Sequence, residues 1–184
     1  MAIYITGDIH SNPERLSNKN FKRQGLLPLT KGDIVLLCGD FGLPWAMDKY
    51  DKHWLEWLSE RPATVAFVDG NHENFDLLNN YPVKNWNGGK VHEVLPNVLH
   101  MMRGEVFDIE GYSVLTFGGA ESQDKVRRKE GTSWWSQEIF SQGELQNLAR
   151  NLKTVNYKVD LVLTHTAPQK FIKQMKVFMI SIYK

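Results

Sequence analysis

Four short stretches carry polar side chains of the kinds that hold metal ions or move protons: Gly7-Asp8-Ile9-His10, Gly39-Asp40, Gly70-Asn71-His72-Glu73 and, later, His165. Each follows a short, largely aliphatic or β-branched run: Ala2 to Thr6, Asp33 to Cys38, Ala63 to Val68 and Val159 to Thr164. Carboxylates, an amide oxygen and imidazoles make a mixed oxygen and nitrogen donor set, suited to manganese, iron, zinc or a related divalent ion. Cys38 is the single cysteine, so a zinc ribbon, an iron–sulfur cluster and an internal disulfide are all excluded. Other catalytic templates fail on inspection, because the chain has no Gly-x-Ser-x-Gly elbow, no P-loop and no Gly-x-Gly-x-x-Gly after its first run. Ser122 has no base assigned near it and does not read as a nucleophile.

These side chains need elements that bring four separate stretches to one place. Runs that are apolar at successive positions suit strands covered on both faces, as in a sheet with helices above and below. Between the first two runs, Asn12-Pro13-Glu14 places proline in the first turn of a helix, and Leu26 to Lys31 closes the crossover. Between the second and third, Asp48 to Glu60 sets Tyr50, Trp54, Trp57 and Leu58 on one helical stripe. Two βαβ units follow, with parallel strands and right-handed crossovers. In such sheets ligands gather beyond the carboxyl ends of the strands, where all four polar stretches fall. Glycine before Asp8, Asp40 and Asn71 lets the chain turn as each strand ends. Turn-forming polar residues also follow strands for purely structural reasons. It is the ordered recurrence of ligand types that favours a site.

From Gly88 to Gly119 the pattern shifts to shorter strand-like pieces, an antiparallel insertion or second sheet. Glu105 to Ile109 and Tyr112 to Phe117 flank Glu110-Gly111 as a hairpin. Lys125 to Thr132 reads as a loop and Ser141 to Leu152 as a helix. His53, His92 and His100 lie away from the four stretches and read as surface or satisfied structural histidines.

At the four stretches the sequence resembles the calcineurin-like metallophosphoesterases, whose motifs read D-x-H, G-D, G-N-H-[DE], a later H and a terminal G-H-x-H; the first four occur here in order. The resemblance spans roughly Ile3 to Pro168, and Gly118 to Lys125 with Arg128 and Trp134-Trp135 looks like a bacterial and phage branch of the family. It implies an α/β fold, a β-sandwich flanked by helices, and a hydrolase of phosphate esters, a phosphatase or phosphodiesterase. In it a dinuclear centre of two divalent metal ions (manganese, iron, zinc or similar) activates water. Asp8 and His10 would hold the first metal, Asp40 would bridge both, and Asn71 and His165 would hold the second. His72 would be the general acid. Arg128, with Lys125, would contact the substrate phosphate, and Trp134 or Trp135 would wall the cleft, the competing reading being a solvated loop beside a core tryptophan.

Two departures qualify this. The second motif continues Phe41-Gly42-Leu43-Pro44-Trp45, without the aspartate and arginine of the family's protein phosphatases. No Gly-His-x-His follows His165, so each metal would lack one imidazole. The expectation is a single domain over 1–184, C-terminally truncated, with 169–184 an atypical apolar tail through which a homodimer would form. The alternative to an active enzyme is a catalytically impaired metal-binding or interaction module.

The formal net charge of +1 gives no cationic field for nucleic acid, which enters only as a substrate. Hydrophobic residues at 42% and charged residues at 23% suit a globular protein of 184 residues. Val177 to Tyr183 falls far short of the roughly 20 residues of a membrane span. The N-terminus has no signal-peptide pattern, and a cytoplasmic, membrane-free protein is expected.

Overall fold

The fold is that of a computed structural model which describes residues 1–167 and 170. The atypical tail expected over 169–184, and the dimer expected through it, therefore lie outside the described residues except for Lys170. Three parallel strands, β1 (Ile3–Thr6), β2 (Ile34–Cys38) and β3 (Thr64–Val68), pair in register with Leu36 opposite both Ile5 and Ala66. Alternation along them divides the core. Val35, Leu37, Val65 and Phe67 join Leu16, Phe21, Leu55 and Leu58 on the helix-covered face. Leu36, Ala66 and Val68 face the other way, onto Phe107, Ile109, Val114 and Leu163 of a second sheet. Each such side chain contributes about 1.5–3 kcal/mol by leaving water.

The crossovers form as their sequences direct. A 3₁₀ turn over Pro13–Leu16 leads into α1 (Asn18–Arg23), with Ser17 capping it through a bond from the Asn20 N–H. Asp48 caps α2 (Lys49–Ser59), whose buried face is Asp51, Leu55 and Leu58 with Trp54 and Trp57 packed beside it. Tyr50, expected on that stripe, is 48% exposed because it sits in the first turn, beyond the sheet. Helix α3 (Phe75–Leu78) follows the third motif.

The region read as one antiparallel unit is divided between the sheets. Strands β4 (Val83–Trp86), β5 (Gly89–Leu95) and β6 (Val98–Met101) extend the first sheet, giving the order β1-β2-β3-β6-β5-β4 with β6 parallel to β3. The expected hairpin, β7 (Val106–Ile109) and β8 (Tyr112–Phe117), begins the second sheet, and β9 (Leu161–Thr164) completes it parallel to β8. Helix α4 (Gln142–Thr154), capped by a Ser141–Glu144 capping box, packs so closely at Gly104 that a Cβ there would lie 2.7 Å from the Leu148 nitrogen. The architecture is thus two packed sheets flanked by helices, and the strand that ends at His165 belongs to the second sheet rather than the first. No helix among the described residues is long and apolar enough to cross a membrane.

Candidate metal centre

All four polar stretches meet where β1, β2, β3 and β9 end. The loops that carry them are held in unusual backbone conformations: Asp8, His10, Ser11 and Asp40 have φ of 53°, 45°, 61° and 51°. Non-glycine residues rarely occupy this left-handed region, and such strain concentrates at functional sites. Two glycines serve by what they lack. A Cβ on Gly70 would lie 2.0 Å from Asp40 Oδ1, and one on Gly39, itself at φ +83°, would lie 2.5 Å from His165 Nδ1. Gly70 is thus required for close approach and Gly39 for approach and turn together.

The loops are tied to each other through Glu73. Its buried carboxylate accepts the N–H groups of Phe41 at 2.9 Å, Gly42 at 2.9 Å and Gly70 at 3.3 Å, joining the second motif to the third. Burial pushes the Glu73 carboxyl up to about 8, with the three backbone bonds pulling down and the Asp69 charge adding to the rise.

Asp40, 3% exposed, stands at the middle of the cluster. Ligand atoms of His10, Asp40 and His72 lie within 4.8 Å of one another, as do those of Asp8, Asp40 and His165. Asp40 is therefore common to both groups, while Asp8 falls with His165 rather than with His10. Asp40 Oδ1 accepts the His72 backbone N–H at 2.9 Å, is 3.4 Å from His165 Nε2, and Oδ2 is 3.6 Å from His10 Nε2. Nitrogen–oxygen hydrogen bonds are shorter, near 2.9 Å. Two ligands on one tetrahedral ion, each about 2.1 Å from it, sit about 3.4 Å apart.

Proton positions sharpen this. His165 Nδ1 lies 2.8 Å from the Cys38 carbonyl, which can only accept, so Nδ1 carries a proton and Nε2 is the nitrogen turned toward the crevice. The Asn71 amide is fixed from behind: its Nδ2 donates to Ser122 Oγ at 3.1 Å, and the Ser122 hydroxyl and N–H both donate to the buried Glu138 carboxylate at 2.7 Å. Asn71 Oδ1 must then face His165 Nε2, 3.3 Å away. His165 Nε2, Asn71 Oδ1 and Asp40 Oδ1 converge on one space, and with the ring neutral all three offer it a lone pair. A cation satisfies that arrangement, and the mixed donors fit a divalent ion of the manganese, iron or zinc type.

At the other side of the crevice the His10 and His72 rings meet edge to face with centroids 5.0 Å apart. Arg128 NH2 lies 3.3 Å from His72 Nε2, and since guanidinium only donates, that nitrogen accepts. Arg128 Nε is held by Asp124 at 2.9 Å. Burial lowers the His72 pKa below the usual imidazole range, with Asp40 opposing and the charges of Arg128 and His10 reinforcing the fall.

The structure thus brings together Asp8, His10, Asp40, Asn71, His72, His165 and Arg128. Lys125 instead pairs with Glu121 on the surface. Neither Trp134 nor Trp135 lines the cleft above the cluster; that place is taken by Trp45, with His10, Ser11, Gly42 and His72. Sequence reasoning also missed Ser122 and Glu138 as supports of Asn71, and Glu73 as the tie between motifs. For Glu73 the signal was its place in the third motif; for Glu138, at the end of a 3₁₀ turn over Ser136–Glu138, there was none.

A family model, that of the calcineurin-like phosphoesterases, matches residues 1–175. No curated protein and no solved structure matches the chain. The chain belongs to the calcineurin-like phosphoesterase family and is, in general terms, a metal-dependent phosphoester hydrolase.

Proposed function

We propose that this calcineurin-like phosphoesterase hydrolyses its ester at a dinuclear centre bridged by Asp40, with His165, Asn71 and Asp8 on one side and His10 on the other. The observation that carries the reading is the convergence of Asp40 Oδ1, Asn71 Oδ1 and His165 Nε2 on one space. Divalent ions held there supply a water of lowered pKa and offset the negative charge of the phosphate. The protein's own groups do the rest. Asp40 also reduces the repulsion between two cations that share it. Arg128, its guanidinium held beside His72 by Asp124, donates to the phosphate. His72, at the wall of the same cleft, gives its proton to the leaving alkoxide; the anionic substrate favours the protonated ring that burial and Arg128 disfavour.

The test is hydrolysis of mono- and diesters by the full chain under added manganese, iron or zinc, with His72→Ala beside the parent. Turnover should fall about a hundredfold to ten-thousandfold on alkyl esters. The deficit should shrink on p-nitrophenyl esters, whose leaving group needs no proton. A uniform deficit across leaving groups would move His72 from acid to metal ligand, a role its place beside His10 and Asp40 also permits.

A further inference from the structure

The cleft over the metal cluster has a volume of about 270 Å³ and is lined by His10, Ser11, Gly42, Trp45 and His72. That is at the small end for ligand sites, the size of a phosphate with one attached ring. His10 and His72 already have assigned work and Ser11 Oγ donates to the Gly42 carbonyl at 2.6 Å, whereas Trp45 has no such task. The indole is half-buried and stands beside two imidazoles that flank the reacting phosphorus in the reading above.

Trp45 is also held unusually firmly. The N–H groups of Trp45, Ala46 and Met47 all donate to Asp51 Oδ2 at 2.7 Å, and Asp51 is itself buried on α2. The Trp45 carbonyl accepts from Asn74 Nδ2 at 2.6 Å. Its ring meets that of Trp135 at 90° with centroids 5.3 Å apart, and Trp135 Nε1 donates to Asp76 at 2.7 Å. Three segments, α2, α3 with its capping Asn74, and the loop before residue 136, therefore hold Trp45 at the edge of the cleft. A hydrophobic residue needed only for packing would be covered by these contacts; this one is left as a wall. A rigid aromatic face costs little entropy to use and prefers flat partners.

We propose that Trp45 is a specificity-determining wall that selects phosphoesters carrying a flat aromatic or heteroaromatic ring close to phosphorus, a nucleoside or simple aryl ester, over aliphatic ones. The proposal rests on the phosphoesterase reading. Stacking of a ring on such a face contributes about 1–3 kcal/mol, or about fivefold to 150-fold in affinity.

The experiment uses the manganese-loaded full chain and two ligands that cannot be hydrolysed, phenylphosphonate and cyclohexylphosphonate, matched in charge and size but flat and puckered respectively. Calorimetry on the parent should show phenylphosphonate binding about fivefold or more tightly. Trp45→Ala should abolish that preference, and Trp45→Phe should keep part of it. The methylenephosphonate isosteres of adenosine 5′-monophosphate and ribose 5-phosphate then separate the two sources: a preference for the nucleotide isostere indicates a nucleoside ester, and its absence beside a phenyl preference indicates a simple aryl ester. Equal binding of the two phosphonates by the parent, a result that needs no variant to fold, overturns the proposal, as does an undiminished preference in Trp45→Ala. If p-nitrophenyl phosphate is hydrolysed while no ring preference exists, this proposal alone falls. If neither phosphonate binds and no ester is hydrolysed under any metal, the phosphoesterase reading falls and takes the proposal with it.

Discussion

Two clusters of carboxylates and imidazoles lie close together in this molecule, and they are built on opposite rules. In the crevice, Asp40 Oδ1, Asn71 Oδ1 and His165 Nε2 converge, with ligand atoms of Asp8, His10 and His72 close by. Two residues before Asn71, Asp69 begins a second cluster in which every acceptor meets a proton. Asp69 Oδ1 accepts from His100 Nε2 at 3.1 Å and both its oxygens accept from Arg103. His100 Nδ1 lies 3.0 Å from His92 Nδ1, one of the two supplying the proton between them. Arg103 also donates to Glu144 and to the carbonyls of Gln137 and Glu138. Burial works against the Asp69 charge, but the His100 bond and the charges of Arg103 and His100 outweigh it and hold the carboxyl at about 2. The lesson is that residue types do not distinguish a metal site from a structural network. Whether lone pairs face protons or face each other does.

The largest effect expected from this contrast is on Asp40. Asp40→Asn preserves shape and can still accept the His72 N–H, but it removes the charge shared by both ligand groups. Metal content measured on the purified chain should fall to near zero, a loss beyond the roughly hundredfold typical of changes around a ligand, while the metal-free protein melts as the parent does. Unchanged metal content would break the comparison at its open end. The matching change in the closed cluster is Arg103→Leu. It leaves Asp69 buried without its main partner and should cost about 3–5 kcal/mol in urea unfolding of the metal-free chain. Asp69→Asn added to it should restore part of that loss, since the stranded charge is then gone. A chain that tolerates Arg103→Leu within about 0.5 kcal/mol would show that the network contributes nothing to stability.

How much of this was legible follows from the same contrast. Asp8, His10, Asp40, Asn71, His72 and His165 could be picked out because they end apolar runs, and strand ends are where α/β sheets gather ligands. The first sheet's parallel strands and α2 were legible from period and capping. Trp45 was not, because its role depends on Asp51, Asn74 and Trp135 converging from three other segments. His92 and His100 were rightly read as satisfied histidines, yet their closeness to the third motif was invisible. It arises because β6 pairs with β3, a pairing that skips the segment between them in the chain and that local pattern does not encode.

The closed cluster should also respond to acid. Burial, joined by the charge of His100 and opposed by Asp69, lowers His92 to about 4 from an ordinary 6.5. A histidine whose folded pKa is depressed folds best when neutral. Its contribution is therefore complete above pH 6.5 and lost as pH falls from there toward 4, on the order of 3 kcal/mol. His92→Gln, whose amide can donate to His100 or accept from it, should flatten the stability profile of the metal-free chain across that window. An unaltered slope would assign the acid sensitivity to other groups.

The smallest expected effect lies at the boundary between the clusters, which runs through the Asn71 amide. One end of that amide is closed, Nδ2 to Ser122 and on to Glu138; the other is open, Oδ1 toward His165. Ser122→Ala removes only the hydroxyl, since the residue-122 N–H still donates to Glu138. Glu138 remains partly satisfied and the fold is kept. What is lost is the acceptor that forbids the amide from rotating its nitrogen into the crevice, where an N–H₂ would meet a cation instead of an oxygen. Groups that orient a ligand from behind typically contribute tenfold to a hundredfold in affinity. Manganese titration by calorimetry should therefore weaken by about that factor, and Ser122→Thr, which restores a hydroxyl, should recover much of it. If Ser122→Ala titrates as tightly as the parent, the ion itself orients Asn71. The border between the satisfied interior and the unsatisfied crevice would then be set by the metal rather than by the protein.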